Sequence, residues 1–168
     1  MTDVKTSKIK LLAFLGIGIA LYFALGCIMN IPVLANSHLQ TDLGYIAFAV
    51  CLFLFGWSAT IVGVVGCLFE SLLISGWVPV GWMLGQVAIG LICGIIYKKA
   101  DKKIIHIIFT VVAVFIGVAL IKSIVECALY SIPFVVKFPK NCVAFVADTI
   151  PMIIGLPIAY KLKTIIKF

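Results

Sequence analysis

Long apolar runs separated by short polar segments dominate the chain. Six runs are candidates for helices, at about 9–29, 43–55, 59–75, 82–97, 104–132 and 143–160. A helix rises about 1.5 Å per residue, so roughly 20 apolar residues cross the hydrocarbon core of a bilayer. The pattern predicts an all-α membrane protein, a six-helix bundle that forms one integral membrane domain over residues 1–168.

Breakers and polar residues separate the runs. The segment 30–42 is the most polar stretch of the chain, and residues 55–58 form a tight turn between two short apolar runs. The sequence GWVPVG at 76–81 predicts a turn, because Gly and Pro interrupt helices. The lysine-rich segment 98–103 must be aqueous, and PFVVKFPKN at 133–141 is predicted to be a loop.

The composition agrees with a membrane protein and excludes other classes. Of the 168 residues, 64% are apolar and only 11% are charged, whereas soluble domains carry about 25% charged residues. Disorder is excluded too, because it requires low hydrophobicity and high charge. The net charge of +7 does not indicate a nucleic-acid partner, because the lysines lie between apolar runs and not on a basic face.

The distribution of the lysines predicts the orientation in the membrane. With six spans and a cytoplasmic N-terminus, most of the 13 basic residues lie on the inner side, in agreement with the positive-inside rule. The inner lysines are Lys5, Lys8, Lys10, Lys98, Lys99, Lys102, Lys103, Lys161, Lys163 and Lys167. Only Lys137 and Lys140 fall in outer loops. We therefore expect a multi-pass protein of the bacterial plasma membrane with both termini in the cytoplasm.

Four ionisable residues lie inside predicted spans: Glu70, Lys122, Glu126 and Asp148. A charge at bilayer depth is costly and usually faces a cavity or a partner. All four fall in the outer half of the membrane, on three different helices, which predicts a pocket open to the outside. Lys122 and Glu126 are also spaced to pair with each other on one helix face, so a purely structural ion pair is the alternative.

Aromatic and polar residues near the same depth extend this candidate pocket. The aromatic residues form either an interfacial belt or a stacking wall for a flat ligand; they are Trp77, Trp82 and Tyr130. The polar loop outside them is a candidate gating loop, with Asn36, His38, Gln40 and Asp42.

Motifs for metals, cofactors and nucleotides do not occur in the sequence. The six cysteines are scattered without CxxC spacing, so they are expected to be small packing residues, with no metal site. No GxxxxGK[ST], HExxH or GxSxG sequence occurs. If transport requires ATP, another chain must supply it. The first apolar run is too long for a signal peptide and is expected to be a retained span.

The stretch 42–99 resembles a known family. It contains a loop Asp, a short helix, an FG turn, a Gly-rich helix with an acid, an outer turn and a Gly-rich helix that ends in Lys-Lys. With six helices and the Ala20-x-x-x-Ala24 step, this is similar to the S components of energy-coupling factor (ECF) vitamin transporters, particularly the folate-like and riboflavin-like ones. In that family the turn often reads Gly-Pro, where this chain has Gly56–Trp57, and the third-helix acid is often Asp, where it has Glu70.

The resemblance implies partners and a function. An S component binds one micronutrient near the outer face and works with a transmembrane coupling protein and two cytoplasmic ATPases, so no cofactor of its own is expected. The small residues Gly16, Ala20 and Ala24 would face the coupling protein. The carboxylates and aromatic residues suit a pterin, a deazapurine such as a queuosine precursor, a pyrimidine or a flavin, whereas Lys122 and the outer lysines permit a carboxylated ligand such as folate or pantothenate. The alternatives are an intramembrane enzyme and a small exporter or channel that acts alone.

Overall fold

A computed structural model describes residues 2–28, 31–32 and 40–165. The described chain is almost entirely helical, as the apolar runs predict. Its seven α-helices are α1 (Thr2–Ile28), α2 (Gly44–Phe55), α3 (Thr60–Ile74), α4 (Val80–Lys99), α5 (Lys103–Val114), α6 (Lys122–Tyr130) and α7 (Phe134–Ile165). Two short strands, β1 (Ile31–Pro32) and β2 (Gln40–Thr41), pair antiparallel and return the chain to the end of α1.

Helices α1, α2 and α3 pack through small residues. Gly18 lies against Cys51 of α2 and Val62 of α3, whereas Tyr22, one turn further along α1, lies against Gly44 and Gly66. Residue numbers therefore fall along α2 and rise along α3, so the two helices are antiparallel. The chain reverses through a 3-10 turn at Gly56–Ala59, where Gly56 adopts φ +68°, a conformation that glycine reaches without steric cost.

Five stretches within the described residues are long and apolar enough to cross a membrane. They are Lys8–Cys27, Gly44–Ile74, Val80–Lys99, Lys103–Tyr130 and Phe134–Ile165. The six apolar runs correspond to these five stretches because the second stretch is divided at residues 55–58, where the 3-10 turn separates α2 from α3. Six crossings of the bilayer, with both ends inside, remain a prediction.

The last helix begins earlier than predicted. Residues 133–141 were expected to form a loop, but α7 starts at Phe134, and this expectation is wrong. The Pro133 carbonyl accepts hydrogen bonds from the amides of Val136 and Lys137, at 3.0 and 3.3 Å, which forms the first turn. Pro139 lies inside this helix, as Pro151 and Pro157 do, and each of them removes one backbone hydrogen-bond donor from it.

A π-helical segment, Phe115–Ile121, connects α5 to α6. It lies where Gly117 meets Gly85 of α4 with backbone almost in contact, since a Cβ on either glycine would lie within 2.7 Å of the other's carbonyl oxygen. The wider turn changes the helical phase along the continuous helix. As a result His106 and Thr110 of α5 are buried, and so are Lys122 and Glu126 of α6.

The end of the bundle that contains the α4–α5 connection is packed by aromatic side chains. The ring of buried His106 contacts the Tyr160 hydroxyl through Nδ1 at 2.6 Å and the Ala100 carbonyl through Nε2 at 2.8 Å. Phe53 packs edge-on against both His106 and Tyr160. These contacts join α2, α5 and α7 at one end of the bundle, and a cavity lies at the opposite end.

Candidate functional site

A cavity of about 430 Å³ lies at the end of the bundle opposite the His106 cluster. It is lined by the final turns of α1 and α3, by Asp42 two residues before α2, and by the segment between α3 and α4. The first turn of α4, α6 and the first turns of α7 complete the lining. Seven of the residues predicted to form a site line it: Asp42, Glu70, Trp77, Trp82, Lys122, Glu126 and Tyr130. Its volume is within the usual range for small-molecule sites.

One wall of the cavity carries carboxyl groups. Asp42 accepts hydrogen bonds from the Tyr22 hydroxyl at 2.5 Å and from the Gly44 amide at 2.7 Å. The second bond is a local turn that also satisfies an unpaired donor at the start of α2. The Glu70 carboxyl lies beside the Asp42 carboxyl on this wall, and both residues line the cavity. Gln86 supports the wall by donating to the Tyr22 hydroxyl at 3.2 Å.

Glycine in α1 creates the space for this acidic wall. The Glu70 carboxyl packs directly over Gly26, so closely that a Cβ there would lie 2.6 Å from Cδ. No side chain other than hydrogen fits at this position while Glu70 keeps its place. The local sequence of α1 therefore determines where the Glu70 carboxyl lies.

Asp148 lies behind the acidic wall and does not line the cavity. Its side chain is 0% exposed, and neither carboxyl oxygen has a hydrogen-bond partner within the described part of the chain. It is within electrostatic range of Asp42 and Lys122. The hydroxyl of neighbouring Tyr45 is also buried without a partner. Asp148 therefore lies in the bundle interior, behind the residues that line the cavity.

The other wall is basic and contains its own counter-charge. Glu126, 7% exposed, accepts from Lys137 at 3.1 Å and from Asn141 at 3.4 Å. Lys122, 5% exposed, lies 3.9 Å from Glu126. Its ammonium also lies 3.5 Å from the ring centre of Trp82, a cation–π contact that is strongest when desolvated. The pairing of Lys122 with Glu126 is real, and it occurs in the cavity wall.

Two aromatic side chains lie at the mouth of the cavity. Trp77 and Tyr130 pack edge to face with their ring centres 6.3 Å apart, and they are 44% and 46% exposed. Lys137 extends over the Tyr130 ring, 5.9 Å from its centre. Rings that are half exposed at the rim of a polar cavity can cover a flat ligand.

The candidate gating loop is only partly described. Asn36 and His38 lie outside the described residues, and Gln40 belongs to β2. Asp42 lies in the cavity wall.

Several residues of the cavity are missing from the sequence-based prediction. Tyr22 lies in an apolar run, and Asn141, Lys137 and Lys140 were assigned to an outer loop. The helical spacing of polar residues could have indicated Asn141, because Asn141 lies four residues after Lys137 and seven before Asp148. The remaining unpredicted lining residues are Cys67, Ser71, Ile74, Ser75 and Ala144.

The small residues assigned to a partner contact lie on the outer face of α1. Gly16 and Ala20 are exposed and Ala24 is half-buried. A Cβ on Gly16 would meet nothing within 4 Å. With Phe69 and other apolar side chains of α3, Gly16 and Ala20 form an open apolar groove of about 630 Å³. Across the described residues, no three His, Cys, Asp or Glu side chains are close enough to hold a metal ion.

Burial makes Asp42 sensitive to pH. Desolvation raises the pKa of its carboxyl to about 6, although the hydrogen bonds from Tyr22 and Gly44 oppose this shift. The folded chain then holds the proton more tightly than the unfolded chain, whose aspartates titrate near pH 4. The stability that this proton contributes is fully present below about pH 4 and is lost as the pH rises through 6.

We therefore expect the thermal midpoint in detergent to fall between pH 4 and pH 7, and Asp42→Asn to flatten that decline. Thermal unfolding across this range measures both. Asp101→Asn, at an exposed position between α4 and α5, is the control and should keep the wild-type profile. An Asp42→Asn profile as steep as the wild-type profile would contradict the assignment.

Comparison with known proteins shows the family and the fold. The family model described as "ECF-type riboflavin transporter, S component" matches residues 6–165. A crystal structure of the S component for biotin from an ECF-type ABC transporter superposes with a TM-score of 0.69 and 19% identity, over 95% of this chain and 93% of that one. At that identity the likeness shows the fold alone.

Curated relatives are UPF0397 proteins. One from Aster yellows witches'-broom phytoplasma (strain AYWB) is 32% identical over 100 residues, which is 59% of this chain and 53% of the relative. One from Streptococcus thermophilus (strain ATCC BAA-491 / LMD-9) is 29% identical over 99 residues, 58% of this chain and 54% of the relative. The matches thus span about half the length of these relatives. Because the family model covers nearly the whole sequence, the chain belongs to the ECF-type riboflavin transporter S component family, whose members are multi-pass membrane subunits for transport.

Proposed function

We propose that this chain is the substrate-binding subunit of an ECF-type importer for a vitamin or a related heterocyclic micronutrient. The observation that carries the proposal is the cavity of about 430 Å³, in which Glu70, Lys122 and Glu126 are buried beside Trp82. Buried charges inside an apolar bundle are costly and usually face a cavity, a partner charge or a ligand. Membership of a transport family supports a ligand that is cargo, which the residues bind and do not transform.

The proposal includes an orientation. The cavity would open to the outside, with six crossings and both termini in the cytoplasm. The lysines support this arrangement, since Lys98, Lys103 and Lys163 contact residues at the end of the bundle opposite the cavity. Positive charge concentrated at one end of a bundle is typical of the cytoplasmic side.

Uptake by whole cells tests the proposal. The chain is expressed in bacteria that lack their own S components, with or without an ECF coupling protein and its two ATPases. We expect uptake of one labelled vitamin-like heterocycle only when all the subunits are present and the ATPases are active. Uptake or export by the chain alone would favour a stand-alone transporter, and no uptake of any micronutrient with the full set would contradict the proposal.

The apolar groove on α1 and α3 is proposed as the contact for the coupling protein. Replacing Ala20 with Leu fills the groove beside Gly16. We expect Ala20→Leu to abolish co-purification with the coupling protein and the ATPases, while the isolated subunit keeps its ligand affinity. Ala128→Leu is the matched control, because Ala128 is exposed on α6, away from the groove. Equal loss of co-purification in both variants would show that the groove has no special role.

A further inference from the structure

The two charged walls of the cavity differ in how far they are already neutralised. On the basic wall, Glu126 lies between Lys122 and Lys137 and also accepts from Asn141. Its hydrogen-bonding capacity is largely used within the protein. Lys140 lines the cavity and has no ion-pair partner among the residues that the structure describes.

The acidic wall has no such counter-charge. Neither Asp42 nor Glu70 forms an ion pair with any lysine in the described ranges. Asp42 accepts hydrogen bonds from the Tyr22 hydroxyl and the Gly44 amide, and the Glu70 carboxyl lies beside it. A carboxylate can accept about four hydrogen bonds, so both groups keep acceptor capacity toward the cavity that they line.

A third carboxyl group strengthens this imbalance. Asp148 is fully buried, interacts electrostatically with Asp42 and Glu70, and has two oxygens without a hydrogen-bond partner in the described chain. Buried carboxyl groups are stabilised by a cation or by hydrogen-bond donors. Asp148 does not line the cavity, so only Asp42 and Glu70 can receive a cation or hydrogen-bond donors from a ligand there.

We infer that the ligand is a flat heterocycle that presents a cationic edge, or an edge with two adjacent N–H donors, to the Asp42–Glu70 pair. This inference rests on the proposed function. Two adjacent donors match two carboxyl groups, as in the bidentate recognition of carboxylates. An imide edge, in which one N–H lies between two carbonyl groups, brings a carbonyl oxygen against a carboxyl oxygen. Binding an imide edge would leave these acceptor oxygens without donors, so the site discriminates strongly against a ligand with such an edge.

Pterin and lumazine provide a matched test. The two bicyclic rings have nearly the same shape, but pterin carries a 2-amino group beside a ring N–H, and lumazine has a carbonyl group at that position. Calorimetric titration of the purified subunit in detergent should show pterin binding at least roughly tenfold more tightly, since charge-assisted hydrogen bonds contribute the difference. Riboflavin, which has an imide edge, is the third ligand of the panel.

Two variants test whether a preference for pterin over lumazine comes from the acidic wall. Glu70→Gln supplies an amide donor in place of a carboxyl group, so it should reduce the pterin-to-lumazine affinity ratio to near one or reverse it. Lys99→Gln removes a charge from the exposed end of α4, outside the cavity, and should leave the ratio unchanged. Such a result would assign the selectivity to the Asp42–Glu70 pair and not to the net charge of the chain.

The remaining outcomes test the inference separately from the proposed function. Tighter or equal binding of lumazine or riboflavin would overturn the donor-edge inference and leave the transport function in place. If no member of the panel binds, the substrate identified in the whole-cell uptake assay tests the inference instead. A substrate that lacks a cationic or double N–H edge overturns the inference, a substrate that has one supports it, and no uptake overturns both proposals.

Discussion

Replacing Glu126 with Gln is expected to lower the free energy of unfolding by about 3 kcal/mol, because the change leaves two lysines without their counter-charge. Lys122 is 5% exposed and Lys137 lies 3.1 Å from the lost carboxylate. For a chain of this length, that corresponds to a fall in the thermal midpoint of roughly 6–12 °C. Thermal unfolding in detergent at neutral pH measures the change.

A double variant separates the loss of the ion pair from the loss of packing. Lys122→Met removes the buried ammonium group but keeps an apolar chain against Trp82, so the Glu126→Gln/Lys122→Met variant should be more stable than Glu126→Gln alone. Lys140→Gln, at an exposed position without an ion pair, is the control for removing a charge and should change stability by less than about 0.5 kcal/mol. A loss below about 1 kcal/mol for Glu126→Gln would mean that the pair is solvated, as surface pairs are.

Substituting Gly26 with Ala should weaken ligand binding at least roughly tenfold while leaving the fold intact. The added Cβ would lie 2.6 Å from Cδ of Glu70 and 2.7 and 2.9 Å from its two oxygens. Because the carboxyl is the far end of a flexible side chain, it moves and the helices stay. The charge-assisted hydrogen bonds that Glu70 makes to the ligand are then lost. Titration with the transported micronutrient gives the affinity, and thermal unfolding without ligand reports on the fold.

Gly16→Ala is the matched control for Gly26→Ala. It is the same substitution in the same helix, at a position where the new Cβ meets no atom within 4 Å. Its ligand affinity should equal the wild-type value. If Gly26→Ala also binds ligand normally, Glu70 does not contribute to affinity. If its thermal midpoint falls as far as that of Glu126→Gln, the substitution disturbs helix packing and not only the carboxyl group.

The membrane-spanning pattern was readable from the sequence because it depends on length and hydropathy alone. The predicted bounds 82–97 and 104–132 agree with Val80–Lys99 and with the continuous helix Lys103–Tyr130. The charges at bilayer depth were equally readable, since any ionisable residue in an apolar run requires a partner. Six of the seven residues proposed from this reasoning to bind substrate line one cavity, and Asp148 lies directly behind its wall.

Features that depend on tertiary contacts could not be predicted from the sequence. The π-helical segment at Phe115–Ile121 fits the close approach of Gly117 to Gly85, two glycines distant in sequence. Pro133 and Pro139 suggested a loop, but Pro133 directly precedes α7 and Pro139 lies inside it, as Pro151 and Pro157 do. Tyr22 was hidden for a different reason. In an apolar run a tyrosine looks like a packing residue, and only the fold shows its hydroxyl on Asp42.

The cavity lined by Glu70, Lys122 and Glu126 is expected to hold the transported molecule. Mass spectrometry can identify the small molecules that co-purify with the subunit, for the wild type and for Glu70→Gln from the same cells. We expect one heterocyclic micronutrient, near one molecule per chain in the wild type and strongly depleted in the variant. A wild-type subunit that carries no small molecule after growth with the full set of vitamins, or equal occupancy in both proteins, would contradict it.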